Sequence, residues 1–279
     1  MIYAIMILLC IFTLYPFLYT ISYSFSDGHA VLSNPVTLLP VSPTLNNYRA
    51  VFQNDEILQA FGVSVFRTVV GLAVTLTVTG MAAYMLSKRN LPGNRFFSYF
   101  LVIPMYLNGG MIAKFVNIAH LGLMNNVLVY ILPYGIVAYF MLIMRTYFGS
   151  IPDSLEESAE LDGAGDILIF FRIVVPLSAP IFATIALFAG VFQWNQWYDA
   201  MVYVPNPDLH PLQLLLQNVL KQASGLANIK LLAQAVDIQV TAEAVQMATL
   251  VVAVVPILAI YPFVQRYFVK GIMIGAVKA

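Results

Sequence analysis

Charged residues are scarce in this chain. Only 9% of its 279 residues are Asp, Glu, Lys or Arg, whereas soluble domains carry roughly a quarter. Hydrophobic residues make up 61%, and the mean hydropathy is +0.84. The net charge is zero, so no basic excess points to nucleic acid. These values exclude a soluble globular protein and indicate a protein that crosses a membrane several times.

Sequence motifs of catalysis are also missing. The single cysteine, Cys10, cannot form an internal disulfide. The histidines are scattered, and no cluster of Cys and His has metal-ligand spacing. Neither a P-loop nor a nucleophile elbow occurs. The chain is therefore predicted not to be an enzyme and to bind no cofactor of its own, so any ATP that drives it is hydrolysed on a partner.

Long apolar runs, separated by polar segments rich in proline and charge, predict an all-α membrane protein of about six transmembrane helices. A signal peptide does not explain the first run, because no basic residue precedes it and no small-x-small cleavage site follows. The predicted spans cover residues 3–25, 62–86, 96–118, 127–147, 179–203 and 244–267.

The second span carries a stripe of small residues. Small side chains every four residues favour close packing of helices in lipid, which we prefer here to a ligand role. Arg67, near one end of this span, is expected to snorkel to the membrane interface. The stripe consists of Gly71, Thr75, Thr79 and Ala83.

The third span is predicted to be broken, because Pro104 and then Asn108-Gly109-Gly110 interrupt it. Broken helices at membrane depth are tolerated where they are buried in protein or line a cavity, and they point to transport paths. Lys114 follows the break, and its charge is explained either by snorkelling or by a place in the pathway. Asn108 and Lys114 are therefore candidate pathway residues.

A polar and aromatic cluster, Gln193-Trp194-Asn195-Gln196-Trp197-Tyr198-Asp199, ends the fifth span. Aromatic faces pack on sugar rings, and amides bond sugar hydroxyls, so the cluster suits a carbohydrate path. An aromatic belt at the membrane interface explains it equally well. The further candidate pathway residues are Gln193, Trp194, Asn195, Trp197 and Tyr198.

An acid-rich stretch over residues 150–180 interrupts the apolar sequence between the fourth and fifth spans. Pro152 is expected at the first position of a helix, followed by carboxylates that suit the positive end of the helix dipole. Ile151, Leu155 and Ala159 recur every four residues and predict one apolar face. The stretch therefore predicts a helix lying at the membrane surface with an acidic face towards water.

Two glycines are expected to end this helix. Gly163 and Gly165 stand where the chain can take a positive φ. Asp166 is then expected to cap a second helix. Pro176 and Pro180 are expected to break that second helix before the fifth span.

These residues resemble the EAA loop of ABC-importer permeases. The family pattern is Glu-Ala-Ala, three residues, Gly, nine residues, Ile-x-Leu-Pro, and this chain has Glu157-Ser158-Ala159, then Gly163, then Ile173-Val174-Val175-Pro176. It departs mildly at Ser158 and Val175, which are still small or aliphatic. The alternative is an ordinary interfacial helix hairpin.

The resemblance implies a type I ABC importer permease fold with a cytoplasmic coupling helix that docks on the ATPase subunit. In this family Glu157 would pair with a basic ATPase residue, Ala159 would permit close approach, and Gly163 would make the turn. The residues implied in ATPase docking are Glu156, Glu157, Ala159, Asp162 and Gly163.

A second resemblance lies at the C-terminus. The run Gly271-Ile272-Met273-Ile274-Gly275-Ala276-Val277-Lys278 resembles the end of MalG-like carbohydrate permeases, in the form of the LplC-type branch that handles complex oligosaccharides. The resemblance extends from about residue 44 to the end. It implies a first transmembrane helix with an external segment over residues 1–60 and a permease core over 61–279. Such permeases usually begin with a basic segment, so it also implies that the natural N-terminus precedes Met1.

The resemblance implies a permease subunit of an ATP-binding-cassette importer that moves oligosaccharides into the cytoplasm. The implied partners are a MalF-like sister permease in a heterodimer, two ATPase subunits that hold ATP and Mg, an extracellular solute-binding protein and membrane lipid. A permease for a non-sugar solute and, less favoured, a secondary transporter remain as alternatives.

Basic residues indicate the orientation in a bacterial cytoplasmic membrane. With the acid-rich loop inside, eight of the 13 basic residues face the cytoplasm, which follows the positive-inside rule modestly. An even number of spans then places both termini in the cytoplasm. The eight are Lys88, Arg89, Arg95, Arg145, Arg172, Arg266, Lys270 and Lys278.

Overall fold

Helices dominate the computed structural model, which describes residues 2–88, 90–107, 109–223 and 240–276. Short 3-10 turns cover Val127–Tyr130, Leu132–Tyr134 and Pro207–Leu209, and a π-helical stretch covers Phe170–Val174. The α-helices are α1 (Ile2–Ser24), α2 (Gly28–Ser33), α3 (Asn46–Gln53), α4 (Asp55–Ser87), α5 (Asn94–Tyr106), α6 (Gly110–His120), α7 (Ala138–Phe148), α8 (Asp153–Leu161), α9 (Asp166–Ile169), α10 (Val175–Leu177), α11 (Ala179–Asn195), α12 (Tyr198–Tyr203), α13 (Leu212–Ala223) and α14 (Ala242–Ala276).

Several of these helices are membrane spans by length and composition. Among the described residues, α1, α4 and the part of α14 over Glu243–Ile260 each qualify alone. Two bent pairs raise the number to five if each is one span: Val127–Tyr134 with α7, bent by 45°, and Asp166–Leu177 with α11, bent by 86°. The all-α membrane fold is thus confirmed, and the count of about six spans stays a prediction.

The breaks fall where proline and glycine predict them. The predicted third span consists of two helices, α5 and α6. The first ends at Tyr106 and the second begins at Gly110, whose φ is +74°. The bend of 86° lies at Ser178, between Pro176 and Pro180. In contrast, α4 contains no proline and runs unbroken for 33 residues.

The helix α4 begins earlier than the apolar pattern predicts. The side chain of Asn54 accepts a hydrogen bond from the amide of Ile57 at 3.2 Å and so caps the helix. Asp55 and Glu56 then place two carboxylates in the first turn, where the helix dipole favours them. The polar residues before position 62 are therefore helical, because capping and dipole terms operate where hydropathy gives no signal.

One compact unit of the chain comprises Met1–Ser64 and Asn206–Ala259. The hydroxyl of Ser64 accepts a hydrogen bond from the amide of Leu212 at 2.8 Å, at the start of α13. A second buried group in this unit joins α1, through Tyr23, to Ala244 of α14. The buried residues of its larger cluster are Ala50, Val51, Ile57, Ala60, Leu212, Leu216, Val245, Ala248 and Ala253.

The other compact unit comprises Val65–Pro205 and Ile260–Ala279. The predicted stripe of small residues on α4 faces its interior: Ala83 is buried, and the hydroxyls of Thr75 and Thr79 donate to the carbonyls of Tyr134 and Gly135 at 2.9 and 3.0 Å. The stripe therefore packs closely, as predicted, and also satisfies carbonyls at the bend before α7. The core of this unit consists of Ala83, Tyr84, Leu86, Met141, Met144, Phe148, Ile169, Phe170, Val174 and Ile185.

Candidate functional site

The acid-rich stretch forms the helix α8, hereafter the docking helix. Pro152 is the residue before its first helical position, with φ of −61° and ψ of 128°, so the expectation that Pro152 opens the helix as its first residue is wrong by one position. Asp153 and Glu156 lie in the first turn, as expected for carboxylates near the positive end of the helix dipole. The chain thus starts the helix with negative charge rather than with a side-chain cap.

A Schellman motif ends the docking helix. Gly163 has φ of +84°, its amide donates to the carbonyl of Glu160 at 2.9 Å, and the amide of Ala164 donates to the carbonyl of Ala159 at 2.9 Å. The predicted role of Gly163 in the turn is confirmed. Because nothing lies within 4 Å of the position that a Cβ would take, Gly163 is required for its backbone conformation rather than for space.

Gly165 and Asp166 do not behave as predicted. Gly165 has φ of −83°, so the expected positive φ there is wrong. It occupies the cap position of α9, and Asp166 is the first helical residue with no side-chain capping bond, so the expected cap is also wrong. One left-handed residue already reverses the chain at Gly163, which leaves an ordinary conformation for the second glycine.

The docking helix has an inner and an outer face. Ile151 and Ala159 pack against the core of their unit, whereas Leu155 is 43% exposed, so the predicted apolar stripe is not one buried face. The inner face runs between Glu156 and Ala159, which places Leu155 at its edge. Leu161 is 89% exposed on the outer face.

The neighbouring carboxylates Glu156 and Glu157 point in different directions. Glu156 is half-buried and forms an ion pair with Lys88, whose ammonium also lies 4.7 Å from the ring centroid of Tyr84. Glu157 and Asp162 are exposed. Of the five residues implied in docking, Glu157, Asp162 and Gly163 therefore face outward, Ala159 is half-buried, and Glu156 holds the helix to the end of α4.

Side chains from α5 and α7 fix the turn that carries Lys88. The side-chain amide of Asn94 donates to the backbone carbonyls of Leu86 and Lys88 at 3.1 and 2.7 Å. The guanidinium of Arg145 donates to the carbonyl oxygen of the Asn94 side chain at 3.2 Å and to the hydroxyl of Ser98 at 2.9 Å. The sequence indicated a short basic turn here, but periodicity and charge gave no signal for this pairing of Asn94 with Arg145.

A recess of about 520 Å³ lies beside the docking helix. Its carboxylates outnumber the ammonium of Lys88, so the recess is electronegative and complements a basic surface on a partner. The carboxylates are those of Asp153, Glu156, Glu157, Glu160 and Asp166.

A second polar centre surrounds Arg67, which is fully buried, so the expectation that it snorkels to the interface is wrong. Its guanidinium donates to both carboxylate oxygens of Asp199 at 3.1 and 2.7 Å and to the side-chain oxygen of Gln193 at 3.2 Å. It also lies 4.5 Å from the ring centroid of Tyr130. We call Arg67, Asp199, Gln193 and Tyr130 the Arg67 network. A buried carboxylate partner removes the need for the arginine to reach water.

The predicted pathway cluster is divided by this network. Gln193 and Trp194 are buried, whereas Asn195 and Tyr198 are exposed and Trp197 is half-buried. The buried pair lies in the last turn of α11, which ends at Asn195, and Tyr198 is the first residue of α12.

The exposed half of the cluster meets the broken third span. The hydroxyl of Tyr198 donates to the sulfur of Met111 at 2.6 Å. Further along α12, the ring of Tyr203 lies tilted by 32° against that of Phe115, with centroids 6.1 Å apart. Lys114 is exposed on α6 between these two contacts. The candidate pathway residue Asn108 lies outside the described residues.

Comparison with known proteins gives a match to one family over residues 1–274, described as "binding-protein-dependent transport system inner membrane component". The chain is 37% identical over 278 residues to the polygalacturonan/rhamnogalacturonan transport system permease protein YtcP of Bacillus subtilis, covering 100% of this chain and 97% of that protein. It is 38% identical over 267 residues to the protein LplC of Bacillus subtilis, covering 95% and 90%.

A solved structure is similar over nearly the whole chain. It is a chain of a bacterial ABC transporter involved in the import of the acidic polysaccharide alginate, with a TM-score of 0.87, 32% identity and coverage of 96% of this chain and 95% of that one. A chain from a bacterial alginate ABC transporter in complex with an alginate pentasaccharide-bound periplasmic protein has a TM-score of 0.54 and 15% identity, covering 95% and 93%. This second likeness shows a shared fold.

Proposed function

Because the chain belongs to the binding-protein-dependent transport system inner membrane components, we propose that it carries oligosaccharides, specifically carboxylate-bearing ones, through the membrane. It is a multi-pass membrane protein and a permease subunit of an ABC importer, and it is not itself an enzyme. The preference for acidic oligosaccharides is supported by the substrates of two relatives, a polygalacturonan/rhamnogalacturonan permease and an alginate importer.

The observation that carries the proposal is the docking helix with its outward face. The helix displays Glu157 and Asp162 to solvent beside an electronegative recess, while Ala159 and Glu156 hold its other face to the protein. A charged group at such a surface suits a basic groove on a partner. We assign Glu157 to pair with a basic residue of an ATPase subunit and Gly163 to maintain the turn that presents it.

In the proposed mechanism, a displacement of the docking helix must be transmitted to the membrane spans. ATP and Mg bind on two partner ATPase subunits, and their closure displaces the docking helix. The Lys88–Glu156 ion pair and the packing of Ala159 join that helix to the core around α4. Movement of the helix is thereby shared with the spans, which alternate between inward-open and outward-open states.

The orientation and the remaining partners follow from the same assignment. The docking helix lies in the cytoplasm of a bacterial cell with both chain termini on that side, and a soluble binding protein delivers the sugar from outside. A MalF-like sister permease completes the translocation path as a heterodimer. Delivery by a binding protein is supported by the family to which the chain belongs, whose transport systems are binding-protein-dependent.

Uptake into proteoliposomes tests the proposal. The complete complex of this chain, its neighbouring permease, the ATPase and the binding protein is reconstituted and offered labelled oligogalacturonate with ATP inside or outside. We expect uptake only when ATP is on the docking-helix side. Uptake driven by an ion gradient without ATP would indicate a secondary transporter, and ATP-dependent uptake of a non-sugar solute alone would overturn the carbohydrate assignment.

A further inference from the structure

The helix break between α11 and α12 carries backbone groups that need partners. The chain leaves α11 at Asn195, and Gln196 takes an extended conformation with φ of −76° and ψ of 125°. At membrane depth, non-helical backbone is tolerated only where its polar groups are satisfied by protein or water. The identity of those partners determines what holds the break in place.

The Arg67 network provides such partners on both sides of the break. The guanidinium of Arg67 donates to the backbone carbonyl of Gln196 at 2.9 Å, after α11. The carboxylate of Asp199 accepts from the amide of Ala200 at 2.8 Å, in the first turn of α12. The ion pair of Arg67 with Asp199 therefore connects the two helix ends to each other and to α4.

A contribution to stability does not explain this ion pair, because removing both charges from water costs free energy that offsets their attraction. Both side chains are almost fully buried, and a buried pair replaced by apolar groups of similar volume is frequently as stable as the original. Ionisable residues within membrane segments are rare and mark functional paths. The network also includes Gln193, whose amide donates to the carbonyl of Tyr130 at 3.2 Å. A stabilising role does not explain why charge is placed here, whereas a positioning role does.

The surface held by the network is the exposed half of the polar and aromatic cluster. Asn195 and Tyr198 flank the break and are exposed, and Tyr198 contacts Met111 of the broken third span. Two helix interruptions therefore meet through this contact. Interrupted helices of this kind surround substrate in transport proteins.

We propose that Arg67 and Asp199 are positioning residues for transport, which hold the break at Gln196 and Trp197 so that Asn195 and Tyr198 contact the passing oligosaccharide. This inference rests on the proposed function. The two charges touch backbone and each other rather than sugar. Their effect is on the geometry of the contact surface.

Cysteine labelling within the complete complex tests the inference. Cys10 is replaced by Ser and Asn195→Cys supplies a single reporter on this chain, which is reconstituted with cysteine-free partners. Labelling by a polar maleimide is measured during ATP turnover with the binding protein, with and without oligogalacturonate. At about ten times the half-saturating sugar concentration, occupancy of the contact surface slows labelling about tenfold by mass action.

Three changes to the network and one control outside it are compared in this background. Asp199→Asn keeps the shape but removes the charge, and Arg67→Met with Asp199→Leu removes both charges. Arg67→Lys keeps the charge pair without its planar two-bond geometry. Thr68→Val is the matched control, because Thr68 is the next residue of α4 and its hydroxyl has no hydrogen-bond partner among the described residues.

The expected result is loss of sugar protection in the first two variants, partial protection in Arg67→Lys and full protection in Thr68→Val. Equal protection in all variants that reach the membrane would overturn the inference, and Arg67→Lys carries the test alone if the others do not accumulate. No protection of Asn195→Cys in a parent complex whose ATP hydrolysis is stimulated by sugar would overturn it as well. Absence of that stimulation in the parent would instead overturn the proposed function.

Discussion

Glu156 of the docking helix forms an ion pair with Lys88, the residue that directly follows α4. The adjacent Glu157 is exposed to solvent, as a residue that contacts a partner protein must be. Two neighbouring carboxylates are therefore placed differently: Glu156 is paired within the chain, whereas Glu157 is free to make the ATPase contact that we propose for it.

Exchange of the two charges in this pair tests the internal function. Glu156→Lys brings two ammonium groups together and is expected to reduce sugar-stimulated ATP hydrolysis, whereas Lys88→Glu with Glu156→Lys restores the pair and most of the activity. Since the pair is partly exposed, we expect its effect on stability to be about 0.2–1 kcal/mol. Stimulated hydrolysis and thermal unfolding are measured for both variants, and a double variant no better than the single one would contradict the assignment.

The turn at Gly163 makes a prediction with a matched control. Gly163→Ala places a Cβ on a residue with φ of +84° and is expected to destabilise the docking helix by about 1 kcal/mol. Gly163→Pro also removes the amide that bonds Glu160 and is expected to reduce stimulated ATP hydrolysis more strongly. Gly165→Ala, at φ of −83° with open space around it, is expected to leave both properties unchanged. Equal effects at the two glycines, measured by thermal unfolding and ATP hydrolysis, would contradict this account.

The Arg67 network makes a prediction about stability. Arg67→Ala leaves the Asp199 carboxylate buried without its partner, which costs about 3–5 kcal/mol. The double variant Arg67→Met with Asp199→Leu removes both charges and is expected to unfold close to the temperature of the parent protein. Thermal unfolding in detergent, followed by intrinsic fluorescence, measures both. A double variant as unstable as Arg67→Ala would show that the ion pair itself stabilises the fold.

Lys114 makes a prediction about substrate charge. Its exposed ammonium lies on α6 beside the contact of Met111 with Tyr198, so we expect it to attract carboxylates of the sugar. Lys114→Gln is expected to reduce the preference for oligogalacturonate over its methyl ester by about tenfold, which corresponds to about 1.4 kcal/mol. Arg49→Gln, which removes an exposed charge from the other unit, is the control. An unchanged ratio of uptake rates in Lys114→Gln would place the lysine outside the path.

Much of the fold was predictable because membrane spans and helix breaks depend on local composition. The apolar runs, the interruption before Gly110 and the turn at Gly163 each follow from a few consecutive residues. The branch of the family was also indicated by the C-terminal run, as the similarity to LplC confirms. Helix starts were less predictable, since α4 begins at a cap within a polar segment.

The long-range pairs could not be predicted, because they depend on which faces of distant segments meet. Arg67 and Asp199 are 132 residues apart in the chain, and their pairing reverses the expected direction of the arginine side chain. For the same reason the sequence could not separate Glu156 from Glu157 or the buried Gln193 from the exposed Asn195. Periodicity locates a helix face, but the partner of that face is a property of the folded chain.

ATP hydrolysis by the reconstituted complex, with and without binding protein loaded with oligogalacturonate, tests the central claim most directly. We predict that sugar stimulates hydrolysis in the parent complex and that Glu157→Lys abolishes the stimulation, because an ammonium then faces the basic partner surface. Leu161→Ala, on the same exposed face, serves as the control for general disturbance of the helix. Stimulation of equal size in the parent and in Glu157→Lys would contradict the assignment of Glu157 as the residue that couples this permease to its ATPase.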